Sequence, residues 1–360
     1  MHVLSFESSC DETAVAVLHA DGHTLTPKAD VIASQIDSHR LSGGVVPEIA
    51  SRAHVEAISR LTYEALDRAS LSLSDIDLIA VTSHPGLIGA LLVGVNFAKA
   101  LAAANGIPLV EVDHIKGHIA AAYVTHEKNA HKDVPKPPFL ALVVSGGHTS
   151  VFLVEDYTRH TLLASTRDDA MGEAFDKVGR LLSLPYPAGA AFDALASEGF
   201  ALYGCDVCTY KKTDAARASE WHLPSPALTG DAAPDLSFSG PKTAAVNLMN
   251  RLKQKNETVD RARFAAHFTY VAVEGVARQL GLLLDRYPGL PLVMGGGVAA
   301  NSHLRRYVAK IAEEKKSRLF VLPLALCGDN GTMIAAAGYY AYLNGERADS
   351  TLNASAADGI

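Results

Sequence analysis

The sequence predicts a two-lobed α/β protein in which both lobes follow one plan. Three observations carry this. The chain has 360 residues, more than one compact core of ordinary size takes up. Short apolar, β-leaning runs alternate with stretches of helical length, the pattern of a mixed or parallel sheet covered by helices. Both halves also open in the same way: strand, polar turn, strand.

The first half begins with the apolar runs His2–Phe6 and Thr13–Leu18, and Asp21-Gly22 then makes a hairpin-type turn into a further extended stretch. Between Pro47 and Ala69, residues Ile49, Ala53, Ile58, Leu61, Ala65 and Leu66 fall near a 3.6-residue period, which predicts an amphipathic helix. Leu78–Val81 reads as a buried strand, and Gly86–Ala104, small and apolar nearly all round, as a buried helix. Leu109–Val112 is a short strand running into a helix with Asp113 as its N-cap. The polar segment Glu127–Pro138 holds three prolines and reads as the connection between lobes. Lobe I then comprises residues 1–112 with the closing helix 330–345, lobe II residues 113–329, and the tail 346–360 is expected to fray.

The second half repeats the opening with strands Phe139–Val144 and Ser150–Val154 around a glycine turn, and Asp156-Tyr157 starts the next turn. Helices are expected at Gly172–Leu182, Ala190–Glu198, Lys242–Lys253, Val259–Tyr287 and Ser302–Glu314, and the closing helix at Asn330–Tyr342. Leu292–Met294 and Leu319–Leu322 read as strands, and Tyr203–Pro234 as a polar, irregular insertion.

Composition narrows the function classes. The chain is 48% hydrophobic and 20% charged, an ordinary globular balance. It holds no run of about eighteen consecutive apolar residues, and nothing at Met1 resembles a basic region followed by an apolar one. Four cysteines are too few for a disulfide scaffold. The expectation is a cytoplasmic protein without a membrane span. Its net charge of −7 runs against a nucleic-acid binder taken as a whole, so any RNA-binding surface must be local or lent by a partner.

Several constellations carry chemistry. In Asp113-His-Ile-Lys-Gly-His118, two histidines four apart share one helix face and present nitrogens to one metal, unless they are ordinary surface histidines. A His-Glu-x-x-His protease needs a glutamate after the first histidine, and Ile115 stands there. Asp329, in Cys327-Gly-Asp-Asn330, could cap the closing helix or complete a two-histidine, one-carboxylate site. Ser145-Gly-Gly-His-Thr149 lies between two strands, where paired glycines turn N–H groups toward an anion. Gly295-Gly-Gly-Val-Ala-Ala-Asn301 follows a strand and precedes a helix, the place where backbone approaches a nucleotide. Glu7-Ser-Ser-Cys-Asp-Glu-Thr13 is a polar loop suited to phosphate or metal, and Asp176 and Lys177 stand near the start of an amphipathic helix. Cys205-x-x-Cys208 is half a zinc-ribbon spacing with no second pair. Walker A and Gly-x-Ser-x-Gly motifs are absent.

Eight segments in this order resemble the TsaD family (also called Gcp or YgjD), the tRNA N6-adenosine threonylcarbamoyltransferases. Besides those above, they include Gly43-Gly-Val-Val-Pro-Glu-Ile-Ala-Ser-Arg-Ala-His54, Gly172-Glu-Ala-Phe-Asp-Lys177 and Ser237-Phe-Ser-Gly-Pro-Lys-Thr243. The resemblance implies an actin/Hsp70/sugar-kinase-like duplicated fold with a ligand cleft between lobes. It implies one divalent ion, iron(II) or zinc, on His114, His118 and Asp329. It places threonylcarbamoyl-AMP against Val144, Ser145, Gly146, Gly147, His148, Asp176, Gly189, Asp193 and Asn301. Ser9, Cys10, Asp11 and Glu12 would face the phosphates, with Asp11 and Glu12 the candidates for a catalytic role. The implied reaction is direct transfer of threonylcarbamoyl to N6 of adenosine 37 in tRNA. Implied partners are tRNA, a TsaB-like paralogue, a TsaE-like ATPase and a TsaC-type synthase that makes the donor. The sequence departs from the family at Tyr186-Pro-Ala-Gly-Ala190, where Ala188 and Ala190 replace a glycine and a proline, and at Pro241, where leucine is common. A metalloprotease and a non-catalytic nucleotide-binding regulator of the same fold are the rival readings.

Overall fold

A computed structural model describes residues 1–40, 42–125, 134–212 and 221–357. The chain divides into two compact units: Met1–Phe139 with Val154–His160 and Leu322–Ile360, and Leu140–Leu153 with Thr161–Val321.

The first unit is built on strands β1 (His2–Glu7), β2 (Glu12–Asp21), β3 (Thr24–Ser34), β4 (Leu78–His84) and β5 (Leu109–Asp113), in the order β3-β2-β1-β4-β5. β1 pairs antiparallel with β2 and parallel with β4, and β4 runs parallel to β5. Buried on both faces, β1, β2 and β4 are nearly continuous apolar runs. Pro27, which cannot donate to a ladder, sits on the edge strand β3 beside the register shift at Val17/Leu18. Four α-helices follow these strands: α1 (Ile36–Arg40), α2 (Pro47–Ala69), α3 (Ile88–Asn105) and α4 (His114–Ala120). By length and composition α3 is apolar enough to cross a membrane; it packs one face on β4 and α2, and with only 33% of it buried it is not the helix buried nearly all round that its composition predicts.

The second sheet holds β6 (Phe139–Val144), β7 (Thr149–Val154), β8 (His160–Ser165), β9 (Leu292–Gly295) and β10 (Leu319–Val321), in the order β10-β9-β6-β7-β8. Read from β8, this is third-second-first-fourth-fifth, the order of the first sheet. The expected duplication is therefore a duplication of topology. Helices α5 (Met171–Leu181), α6 (Gly189–Leu202), α7 (Ser239–Gln254), α8 (Arg261–Arg286) and α9 (Ser302–Glu314) belong to this unit, while α10 (Gly331–Leu343) returns to the first.

Three features differ from expectation. The units are drawn elsewhere: α4 and residues 322–329 belong to the first, because α4 packs against α10. Strand β8 was not foreseen, since at the sheet edge its one short apolar run, Leu162–Ala164, is flanked by His160, Thr161 and Ser165 and most of it stays partly exposed. Residues 346–355 of the tail do not fray. Ala348 N donates to Leu109 O at 2.8 Å, Lys99 Nζ to Leu352 O at 2.8 Å, and Ser355 N to Ser83 O at 2.9 Å, so the tail covers the open edge of β5. Residues 127–133 of the expected connector and 213–220 of the expected insertion lie outside the described residues. The rest of the insertion is irregular, with short 3-10 turns at Tyr210–Lys212 and Gly230–Ala232.

Candidate metal centre and glycine turns

The side chain of Asp113 accepts from Ile115 N at 2.7 Å and Lys116 N at 3.2 Å, and so starts α4 with His114 as its first residue. One turn later His118 lies on the same face, the two rings 4.7 Å apart and inclined at 77°. Gly117 lets α4 approach α10, since a Cβ there would meet Ile334 Cδ1 at 2.8 Å. Asp329 immediately precedes α10, whose cap is Asn330: its Oδ1 accepts from Met333 N at 2.9 Å. Capping by Asn330 leaves the Asp329 carboxylate to point elsewhere. It lies 3.3 Å from His118 Nε2 and 3.5 Å from His114 Nε2. Each residue thus offers one ligand atom, all within 4.8 Å of one another.

The start of α10 is fixed from β3. Asp30 accepts from Gly331 N at 3.2 Å, Thr332 N at 3.0 Å and Thr332 Oγ1 at 2.6 Å. Gly331 packs directly on β2, where a Cβ would meet Ala16 N at 2.6 Å.

These residues fit a divalent ion. His118 is fully buried, and neither ring nitrogen makes a hydrogen bond among the described residues, a costly arrangement that a metal would relieve. Around it lie more carboxylates than cations. Burial pushes the Glu12 carboxyl up to about 9, helped by Asp329 and then Asp11. Burial also pushes the Cys10 thiol far up, with Asp11 and Asp329 adding to it. Burial pulls the His114 imidazole down, but Glu7 and Asp329 outweigh it and hold the ring at about 9 without a metal. A divalent cation neutralises this surplus.

The polar loop after β1 runs beside this group. Ser9 Oγ lies 3.2 Å from His114 Nδ1, and Ser9 O accepts from Leu87 N at 2.8 Å. His54 Nε2 lies 3.0 Å from Cys10 O, and its Nδ1 is 2.7 Å from Thr13 Oγ1. Asp11 O accepts from Gln35 N at 3.0 Å, and Glu12 Oε1 from Ser34 Oγ at 3.1 Å. The sequence points to this loop, Glu7 included, as suited to phosphate or metal, but not to the contacts of His54 and Asp30 that fix its surroundings.

In the second unit, the turn from Ser145 to His148 is closed by Ser145 N donating to His148 O at 2.8 Å and by His148 N donating to Ser145 Oγ at 3.1 Å. Gly146 and Gly147 have open space where a Cβ would stand. Gly172 does not: a Cβ there would meet Ser145 O at 2.6 Å and Val298 Cγ2 at 2.9 Å. Gly296, with φ of 90°, passes against the Val144 backbone at similarly close range. The turn, the start of α5 and the Gly295–Gly297 run are thus packed side by side. Asp193 and Asn301 meet at the start of α9, Asp193 Oδ1 accepting from Ser302 N at 3.0 Å and Asn301 Oδ1 from Leu304 N at 2.8 Å. Asp176 Oδ1 accepts from Ala188 N at 2.7 Å, just before α6 begins at Gly189. The methyl group of Ala188, one of the departures from the family pattern, packs over Gly179. Pro241 lies in the first turn of α7, where proline is tolerated. Cys205 and Cys208 are free thiols, and burial raises both.

Twin five-stranded sheets of one order define an actin/Hsp70/sugar-kinase-like fold, in which buried His114 and His118 with partly buried Asp329 form a group that could hold a metal ion. Solved structures agree on the fold. Full-length HypF in its phosphate- and nucleotide-bound form superposes with a TM-score of 0.57 at 13% identity, covering 95% of this chain and 46% of that one. HypF from T. kodakarensis gives 0.59 at 13% identity, over 96% and 48%. The chain spans about half the length of those structures. The family model for TsaD, tRNA N6-adenosine threonylcarbamoyltransferase, matches residues 28–336, and the chain belongs to that family. Relatives named tRNA N6-adenosine threonylcarbamoyltransferase include one from Clostridioides difficile (strain 630), 44% identical over 98% of this chain and 96% of that protein. Another, from Geobacillus thermodenitrificans (strain NG80-2), is 45% identical over 98% and 95%. The chain is a transferase that modifies tRNA.

Proposed function

We propose that this chain transfers threonylcarbamoyl from threonylcarbamoyl-AMP to N6 of adenosine 37 in tRNAs reading codons that begin with A, releasing AMP. The observation that carries this reading is the buried His114–His118–Asp329 group in a chain of this family. Iron(II) or zinc held there would supply a Lewis acid for the donor's phosphate, neutralising charge as AMP leaves. An exocyclic adenine amine is a poor nucleophile, so this chain's own residues must hold donor and acceptor in line. Support for the adenylate position comes from the Ser145–His148 turn, whose two glycines leave room for a ligand to approach the backbone. Asp176, Gly189, Asp193 and Asn301 stand at helix starts suited to ribose and phosphate. Ser9–Glu12, beside the metal group, would meet the phosphates. Burial keeps the Cys10 thiol protonated, which favours direct transfer over a covalent thioester. The missing glutamate after His114 tells against a protease: Ile115 there is buried and apolar.

With a net charge of −7, tRNA binding is best shared with partners, a TsaB-like paralogue and a TsaE-like ATPase, in the cytoplasm where tRNA is found. The test is to incubate the protein with unmodified tRNA and threonylcarbamoyl-AMP, with and without such partners, and to measure AMP and digested nucleosides by mass spectrometry. Equal amounts of AMP and threonylcarbamoyladenosine are expected. AMP without modified nucleoside, even with the full partner set, would leave only a nucleotide-binding regulator.

A further inference from the structure

The metal reading leaves one buried charge unaccounted for. Glu7, the last residue of β1, is 1% exposed, and a carboxylate so buried is costly unless donors surround it. Three donors do. Ser9 N donates to Oε1 at 2.5 Å, Thr82 Oγ1 to Oε2 at 2.6 Å, and His114 Nδ1 lies 3.0 Å from Oε2. The opposite nitrogen of the same ring, Nε2, faces Asp329.

We infer that Glu7 is a positioning residue for the metal: its carboxylate holds the proton of His114 on Nδ1 and keeps Nε2 free to bind the ion. A histidine ligand needs a lone pair on the nitrogen that meets the metal, and the hydrogen bond at the other nitrogen decides where the proton sits. Glu7 meets His114 at Nδ1 while Asp329 stands at Nε2, so it orients the ring without being a ligand. Through Ser9 N it also ties the polar loop to the same anchor, making one buried carboxylate set both the metal ligand and the turn beside it.

An amide cannot replace it. Glutamine offers one oxygen and one NH2 group to three converging donors, so one donor must face another. The ring relieves this by moving its proton to Nε2 and accepting from the amide, which blocks the metal. Glu7→Gln keeps shape and size, and its loss should appear as metal affinity rather than as unfolding.

This inference rests on the metal reading, and the test separates the two. The full-length chain, stripped of metal with a chelator, is titrated with Co2+. Affinity is read by competition with a chromophoric chelator, ligand geometry by the visible absorption bands, and fold by circular dichroism. The wild type should bind one Co2+ per chain. Glu7→Gln should stay folded and bind about 10- to 100-fold more weakly, the usual effect of losing such a partner, with altered visible bands. No Co2+ uptake by the wild type removes the metal reading and this inference with it. A folded Glu7→Gln chain with wild-type affinity and bands removes the role of Glu7 alone. Should Glu7→Gln fail to fold, ring-nitrogen NMR of the zinc-loaded wild type decides. A proton on His114 Nδ1 supports the role, and a proton on Nε2 overturns it.

Discussion

At the scale of single residues, the centre depends on groups that burial would otherwise make costly. His118 is fully buried with no hydrogen bond at either ring nitrogen among the described residues, a cost that a bound ion would relieve. Replacing His118 with alanine should abolish metal uptake and lower turnover by roughly two orders of magnitude or more, the several kcal/mol that a Lewis acid contributes. Metal analysis and single-turnover rates check this. His160 makes a separate statement about pH. Burial first, then Lys116, pulls its imidazole down to about 4 from an ordinary 6.5. Between those values the unfolded chain binds the proton that the folded chain refuses. Stability from this group is therefore complete above 6.5 and is lost as the pH falls toward 4. Thermal melts of His160→Gln should show a shallower loss of stability across that interval than the wild type.

At the scale of elements, the site is aimed by how helices begin. Asp113 starts α4, Asn330 starts α10, and Asp30 clamps α10 to β3, so the metal group inherits the rigidity of the sheet. Two glycine substitutions should behave oppositely. Gly331→Ala puts a methyl group 2.6 Å from Ala16 N, where backbone must yield, and should cost about 2 kcal/mol of stability along with metal affinity. Gly146→Ala meets nothing within 4 Å, so it should leave stability unchanged and weaken binding of the adenylate donor. Urea unfolding and equilibrium binding of AMP separate the two. Most of these elements were legible in the sequence, because β6 is a continuous apolar run, β1 has an apolar centre, and α4 carries its cap and both histidines within six residues. What was not legible is what touches them from afar. Glu7 lies 107 residues from His114, and Asp30 lies 302 from Thr332, and no local pattern announces such a pair. Edge elements were missed for a related reason: β8 and the tail along β5 hold their places largely by backbone pairing, to which side-chain periodicity is blind.

At the scale of the whole molecule, one sheet order has been used twice and equipped differently. The first unit carries the His114, His118 and Asp329 group and the acidic loop, and the second carries the glycine turns and the helix starts at Asp176, Asp193 and Asn301. On the proposed reading, that division suits a tRNA-modifying transferase with a net charge of −7: the chain would supply chemistry and donor contacts, and partners much of the RNA affinity. A metal on His114, His118 and Asp329 is proposed to carry the transfer. Its most direct test is to strip the enzyme of metal, add back iron(II) or zinc in steps, and count threonylcarbamoyladenosine formed per chain with tRNA, donor and partners in excess. Product should rise with metal and level off at one ion per chain, with none from Asp329→Ala. Full activity in the stripped enzyme would contradict it.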